Sequence, residues 1–120
     1  MAIILVVEDE VIIAFGTSMV LEDAGFTVML AQDGEIGLAK ALASALDLII
    51  TDYMMPRMNG IKMIKALRAA GNSTPVILAT AIPEDNLPSN PHHVHDAYLG
   101  KPYHDAVLLR TVRQFLQPDR

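Results

Sequence analysis

The chain has 120 residues, just over half of them hydrophobic, and a formal net charge of −5. That length suits one domain around one core, and acids interspersed with bases argue against unaided nucleic-acid binding, which needs a basic patch. The absence of cysteine excludes disulfides, thiol redox chemistry and thiolate-held zinc.

The apolar runs are too short to span a bilayer. The first of them lacks a basic start and ends in acids, so no signal peptide is expected and a cytosolic (cytoplasmic) location is the default expectation. Ile3 to Val7 reads as a strand buried on both faces. Val11 to Ala24 reads as a helix stopped by Gly25, a good left-handed terminator. Its expected core stripe is Ile13, Gly16, Val20 and Ala24. A second apolar row, Ile12, Phe15 and Met19, lies on a neighbouring face. One face normally suffices against a sheet, so the wide band signals either a deeply buried helix or a sticky outer surface.

Phe26 to Ala31 is a second strand, Asp33-Gly34 a turn, and Glu35 to Ala45 a second helix with Ile36, Leu38, Ala39 and Leu42 available for packing. Asp47 to Thr51 is a third strand, followed by Asp52. A third helix starts at Asn59 or Gly60 and runs to about Ala70. Its apolar side is Ile61, Ile64 and Leu67 with Met63 beside them, and its wet side Lys62, Lys65 and Arg68. Pro75 to Ala79 is a fourth strand, with Thr80 just past it. From Ala81 to Asp96 the chain carries Pro83, Pro88 and Pro91. Proline costs about 3 kcal/mol inside a helix, so one short turn near Glu84 to Leu87 is the most this stretch allows. Ala97 to Gly100 is a short fifth strand. Asp105 to Leu116 is the last helix, packing through Leu108, Leu109, Val112, Phe115 and Leu116, and Pro118 ends it.

Strand and helix alternate, which implies a parallel sheet covered on both faces, and five strands point to the flavodoxin-like doubly wound arrangement, order 2-1-3-4-5. Its carboxyl rim would collect Glu8, Asp9, Asp52, Thr80 and Lys101. Clustered carboxylates repel unless a proton or cation relieves them. The oxygen-rich set suits a hard cation such as Mg²⁺, which takes few carboxylates and keeps waters and phosphate oxygens. A carboxylate can itself attack phosphorus to give an aspartyl phosphate. In that arrangement Asp52 is the nucleophile and the cation lies between Asp52, Asp9 and the phosphoryl group. Lys101 and Thr80 face other phosphoryl oxygens.

The segments Val7-Glu8-Asp9-Glu10, Asp52-Tyr-Met-Met-Pro-Arg-Met-Asn-Gly60, Leu78-Ala-Thr80-Ala and Tyr98-Leu-Gly-Lys101-Pro102-Tyr103 together resemble the receiver domain of two-component response regulators. The resemblance covers essentially the whole chain, residues 1–120. It implies a CheY-like fold that accepts a phosphoryl group from a histidine kinase or histidine phosphotransfer protein. It implies Asp52 as phosphoacceptor, Glu8 and Asp9 as the acids holding Mg²⁺, and the backbone carbonyl of Met54 as the remaining protein ligand. Thr80 matches the switch hydroxyl, Lys101 the phosphate-pairing lysine, and Tyr98 the switch aromatic. Lys101-Pro102 matches a cis peptide, the one bond type where cis is cheap. Met54 and Ile82 match positions that tune the lifetime of the phosphoaspartate. The family protein is a phosphoacceptor that assists its own phosphorylation rather than a conventional enzyme. No helix-turn-helix is visible, so output is expected through another protein or a domain outside these residues.

The proline-rich stretch departs from the family pattern, in which a fourth helix follows the switch threonine; here a short or absent helix is expected. His92, His93 and His95 in that stretch offer a set that could hold a transition metal, but solvated side chains are the expected state. The row Ile12, Phe15 and Met19 is expected to contact the phosphodonor. A small phosphatase would need a second acid soon after Asp52, and Tyr53 to Gly60 has none. A flavin carrier would need a Gly- and Ser/Thr-rich loop where Glu8-Asp9-Glu10 stands. A receiver-like module that is never phosphorylated is the remaining rival.

Overall fold

The structure is a computed structural model that describes residues 2–87 and 95–116. Five strands, β1 (Ile3–Val7), β2 (Thr27–Ala31), β3 (Leu48–Asp52), β4 (Val76–Thr80) and β5 (Ala97–Gly100), form one sheet. All pairings are parallel and the order is β2-β1-β3-β4-β5, as the alternation of strand and helix predicts. Between them run α1 (Val11–Asp23), α2 (Gly34–Ala43) and α3 (Gly60–Ala69), and α4 (Asp105–Val112) follows β5.

Side chains alternate across a strand, so the apolar runs feed two cores. On one face Ile4, Val6, Leu48, Ile50, Ile77 and Leu99 pack with Leu21 of α1 and with Leu108 and Val112 of α4. On the other, Leu5, Val7, Ile49 and Val76 pack with Ala41 of α2 and with Met63, Ile64 and Leu67 of α3. The near-unbroken hydrophobicity of β1, β3 and β4 follows from burial on both faces. Gly25, at φ 100°, ends α1 in the left-handed conformation that its lack of a Cβ permits.

Several side-chain expectations are corrected. α1 turns Ala14, Thr17, Ser18 and Leu21 inward rather than a stripe through Ile13, Gly16, Val20 and Ala24. Val20 and Ala24 only flank the core, and Gly16 is exposed. The helix is apolar nearly all round, so hydrophobic spacing does not select a face. α2 buries Gly34, Gly37 and Ala41, leaving Ile36, Ala39 and Leu42 exposed. The regular part of α4 stops at Val112, and the chain continues in turns that keep Phe115 and Leu116 against the core.

Between β4 and β5 the described residues hold only a 3-10 turn, Glu84–Asn86. Pro88, Ser89, Asn90, Pro91, His92, His93 and Pro118 lie outside the described residues. His95 is not solvated: its side chain is 4% exposed, with Nε2 3.3 Å from Glu84 Oε2. Among the described residues no helix is long and apolar enough to cross a membrane.

Candidate functional site

Strand register builds one row of polar residues at the carboxyl rim. Val7 is opposite Thr51, so Glu8 follows beside Asp52. Asp52 is opposite Ala79, which brings Thr80 alongside, and Thr80 is opposite Gly100, which places Lys101 next in the row. Asp52 ends the central strand and is 9% exposed. Both of its oxygens are engaged: Oδ1 accepts from the Tyr53 amide at 2.6 Å, and Oδ2 accepts from Lys101 Nζ at 2.8 Å. The carboxylate plane is therefore fixed within the protein.

Lys101 Nζ also donates to Glu8 Oε1, and Glu8 Oε2 accepts from the Glu10 amide at 3.1 Å. One ammonium thus bridges two acids from different strands. Glu8, Asp9 and Asp52 each offer a carboxylate oxygen, all within 4.8 Å of one another; Glu8 is buried and Asp9 exposed. Burial pushes the Glu8 carboxyl above its ordinary pKa, and the Asp52 charge pushes the same way. The hydrogen bond from Lys101 offsets only part of this. Burial alone would lower Lys101, but its hydrogen bonds to Asp52 and Glu8 and their charges outweigh it, and its pKa is raised.

Thr80 is 2% exposed, and its Oγ1 accepts from the Ile82 amide at 3.2 Å. Tyr98 donates its hydroxyl to the Ile82 carbonyl at 2.6 Å, so both expected switch residues are tied to one residue after β4. The Lys101-Pro102 peptide is cis, as the resemblance implies. Met54 lies two residues beyond Asp52 in the loop between β3 and α3, and its side chain points outward. That loop is closed at its base by Gly60 N donating to Tyr53 O at 2.8 Å. A Cβ on Gly60 would lie 2.1 Å from Asp52 O, so only glycine permits the approach.

Ile12, Phe15 and Met19 are 87%, 57% and 63% exposed, which selects the outer-surface alternative for that row. Between α1 and the segment after β5 lies a cleft of about 640 Å³, lined by Gly16, Met19, Val20, Lys101 and Tyr103 among others. Two contacts, the first beside this cleft and the second at the start of α2, escape sequence reasoning. Thr17, buried on α1, hydrogen bonds the Tyr103 hydroxyl at 2.7 Å, and burial raises the Tyr103 pKa. Asp33, placed in a turn by the sequence, is 2% exposed and caps α2 by accepting from the Ile36 amide at 2.9 Å. Its other oxygen accepts from Arg57 Nη1 at 3.0 Å. The Asp-Gly pair before a helix carries the capping signal; nothing in the sequence links it to Arg57. Among the described residues the histidines form no metal cluster.

The profile described as response regulator receiver domain matches residues 4–113. The chain is 36% identical to the response regulator ArlR of Staphylococcus epidermidis over 121 residues, covering 98% of this chain and 54% of ArlR. It is 38% identical to the transcriptional regulatory protein CusR of Escherichia coli over 120 residues, 95% of this chain and 51% of CusR. It thus spans about half the length of these curated relatives. Among solved structures, the chemotaxis protein CheY4 of Vibrio cholerae superposes with a TM-score of 0.89 at 34% identity, covering 97% of this chain and 99% of CheY4. The response regulator TrrA of Thermotoga maritima, solved in complex with Mg²⁺ and BeF, gives 0.87 at 30% identity, covering 97% and 100%.

Proposed function

The chain belongs to the receiver-domain family of two-component response regulators, and on that premise we propose that it takes a phosphoryl group onto Asp52. The donor is the phosphohistidine of a histidine kinase or a histidine phosphotransfer protein. An Asp52 oxygen forms the new P–O bond as the P–N bond to the donor imidazole breaks. The imidazole leaves with the bonding pair and takes a proton from solvent. The observation that carries this reading is the convergence of Lys101, Glu8 and Asp9 on a nearly buried Asp52.

Three carboxylates within reach of one point, with no sulfur or imidazole donor among them, fit Mg²⁺. Glu8, Asp9, Asp52 and the Met54 carbonyl would hold it. When bound, the ion neutralises charge on the phosphoryl oxygens. Lys101 pairs with another phosphoryl oxygen, trading part of its bond to Asp52 for the new charge. Thr80 donates its hydroxyl to a third oxygen. Drawing Thr80 toward the phosphoryl group pulls on the Ile82 amide, and through the Ile82 carbonyl on Tyr98; this is the route by which the surface changes. The exposed row Ile12, Phe15 and Met19, beside the same rim, is the donor-docking surface. Output passes to a protein partner or to a domain outside these residues, with no direct contact to nucleic acid or membrane.

Intact mass after treatment with acetyl phosphate tests the class. One phosphoryl adduct that requires Mg²⁺ and is absent from Asp52→Asn is expected. An unmodified wild type, or an adduct that survives in Asp52→Asn, refutes the assignment.

A further inference from the structure

Among the described residues Arg57 is the one non-glycine residue at positive φ, 68°. An L side chain is disfavoured in the left-handed region, so something must hold it there. Its Nη1 donates to Asp33 Oδ2 at 3.0 Å. Asp33 is anchored: Oδ1 accepts from the Ile36 amide at the start of α2, and the side chain is 3% exposed, against 63% for Arg57. A second, independent contact brings the same two elements together. A Cβ on Gly34, the first residue of α2, would lie 2.2 Å from the Met58 carbonyl oxygen. The amino end of α2 therefore abuts the loop backbone next to Arg57. With the Gly60–Tyr53 bond closing the other side, the segment carrying Met54 is fastened on both flanks.

We propose that Asp33 and Arg57 are positioning residues for the cation site: their ion pair straps the loop that carries the Met54 carbonyl onto the start of α2 and so sets the affinity for Mg²⁺. This rests on the phosphoacceptor reading above. The bland alternative is a half-exposed ion pair of no consequence, or a pair that acts only through its charge. The two accounts differ in sign. If charge alone mattered, removing the Arg57 cation would tighten Mg²⁺ binding and removing the Asp33 anion would weaken it. A strap predicts that both changes weaken it, because either one frees the loop.

The test is calorimetric titration of MgCl₂ into the wild type, Arg57→Ala, Asp33→Asn and the double variant, with thermal melts in EDTA. Asparagine keeps an acceptor for the Ile36 amide, so the α2 cap survives. Arg57→Gly, free of the backbone strain, replaces Arg57→Ala if that variant folds poorly. Each single change should raise the Mg²⁺ dissociation constant about fivefold, the worth of one such pair, and the double variant no further. Unchanged or tighter binding in the arginine variants, or losses that multiply in the double variant, overturns the strap. A wild type that binds no Mg²⁺ overturns the phosphoacceptor reading as well. Wild-type binding lost in Asp52→Asn but intact in the strap variants overturns the strap alone.

Discussion

Replacing Lys101 with methionine keeps the aliphatic stem and removes the charge that holds Glu8 and Asp52 together. The Glu8, Asp9 and Asp52 oxygens lie within 4.8 Å of one another, and at an effective dielectric of about 20 two unit charges at that distance repel by about 3.5 kcal/mol. Protonation sets a ceiling on the loss. Loading one proton at about pH 7 onto a carboxyl of ordinary pKa costs about 3.7 kcal/mol, and about 1 kcal/mol at about pH 5. Glu8 already titrates above its ordinary value, so the ceiling is lower still. The expected loss in EDTA is thus about 2–3 kcal/mol near pH 7, at the lower edge of what breaking a buried pair costs, and under about 1 kcal/mol near pH 5.

The sign follows from linkage. Without Lys101 the folded-state pKa of Glu8 rises further above its unfolded value, and such a group loses stability as pH climbs from the unfolded value toward the folded one. Lys101 itself, raised in the fold, contributes at every pH below its unfolded pKa and loses that contribution only as pH rises through the folded one. It therefore adds no slope in this window. Urea denaturation followed by circular dichroism across the range, with EDTA or saturating MgCl₂, reads all of this. Mg²⁺ should recover most of the deficit, because a divalent ion replaces the missing positive charge. A variant as stable as wild type in EDTA near neutral pH, or a deficit that shrinks as pH rises, refutes the picture of an acid cluster held by one lysine.

Phe15→Glu, on the exposed row of α1, should slow phosphotransfer from a protein donor several-fold while leaving labelling by acetyl phosphate intact; equal loss with both donors counts against docking there. Gly60→Ala forces a Cβ to 2.1 Å from Asp52 O, and the loop must shift to admit it. A destabilisation of about 3 kcal/mol or more is expected in a urea titration, and a change within about 0.5 kcal/mol would mean the loop base is not tightly closed.

The strands, their order and the polar rim were legible because every strand is a short apolar run and four of the five lead into a chemically distinctive residue: Glu8, Asp52, Thr80 and Lys101. The third helix was legible too, with Ile64 and Leu67 inward and Lys62 and Lys65 outward. α1 and α2 were not. In α1 the buried face includes Thr17 and Ser18, polar groups satisfied by Tyr103 and Glu22 from positions that hydrophobic spacing cannot see. In α2 the inward face is chosen by size: Gly34, Gly37 and Ala41 let the helix lie close to the sheet and to α3, which pushes the larger Ile36 and Leu42 outward. The pairing of Asp33 with Arg57 joins residues 24 apart through a turn and a strained backbone, and neither leaves a local signal.

The polar rim draws its members from the ends of β1, β3, β4 and β5, four strands well separated along the chain. No half-sheet or folding intermediate lacking one of those strands holds Glu8, Asp52, Thr80 and Lys101 together. On the proposed reading, competence to take a phosphoryl group is therefore a property of the completed tertiary structure, and a nascent or partly unfolded chain would not accept one. Under that proposal, folding cooperativity gates phosphoacceptance before any donor is met.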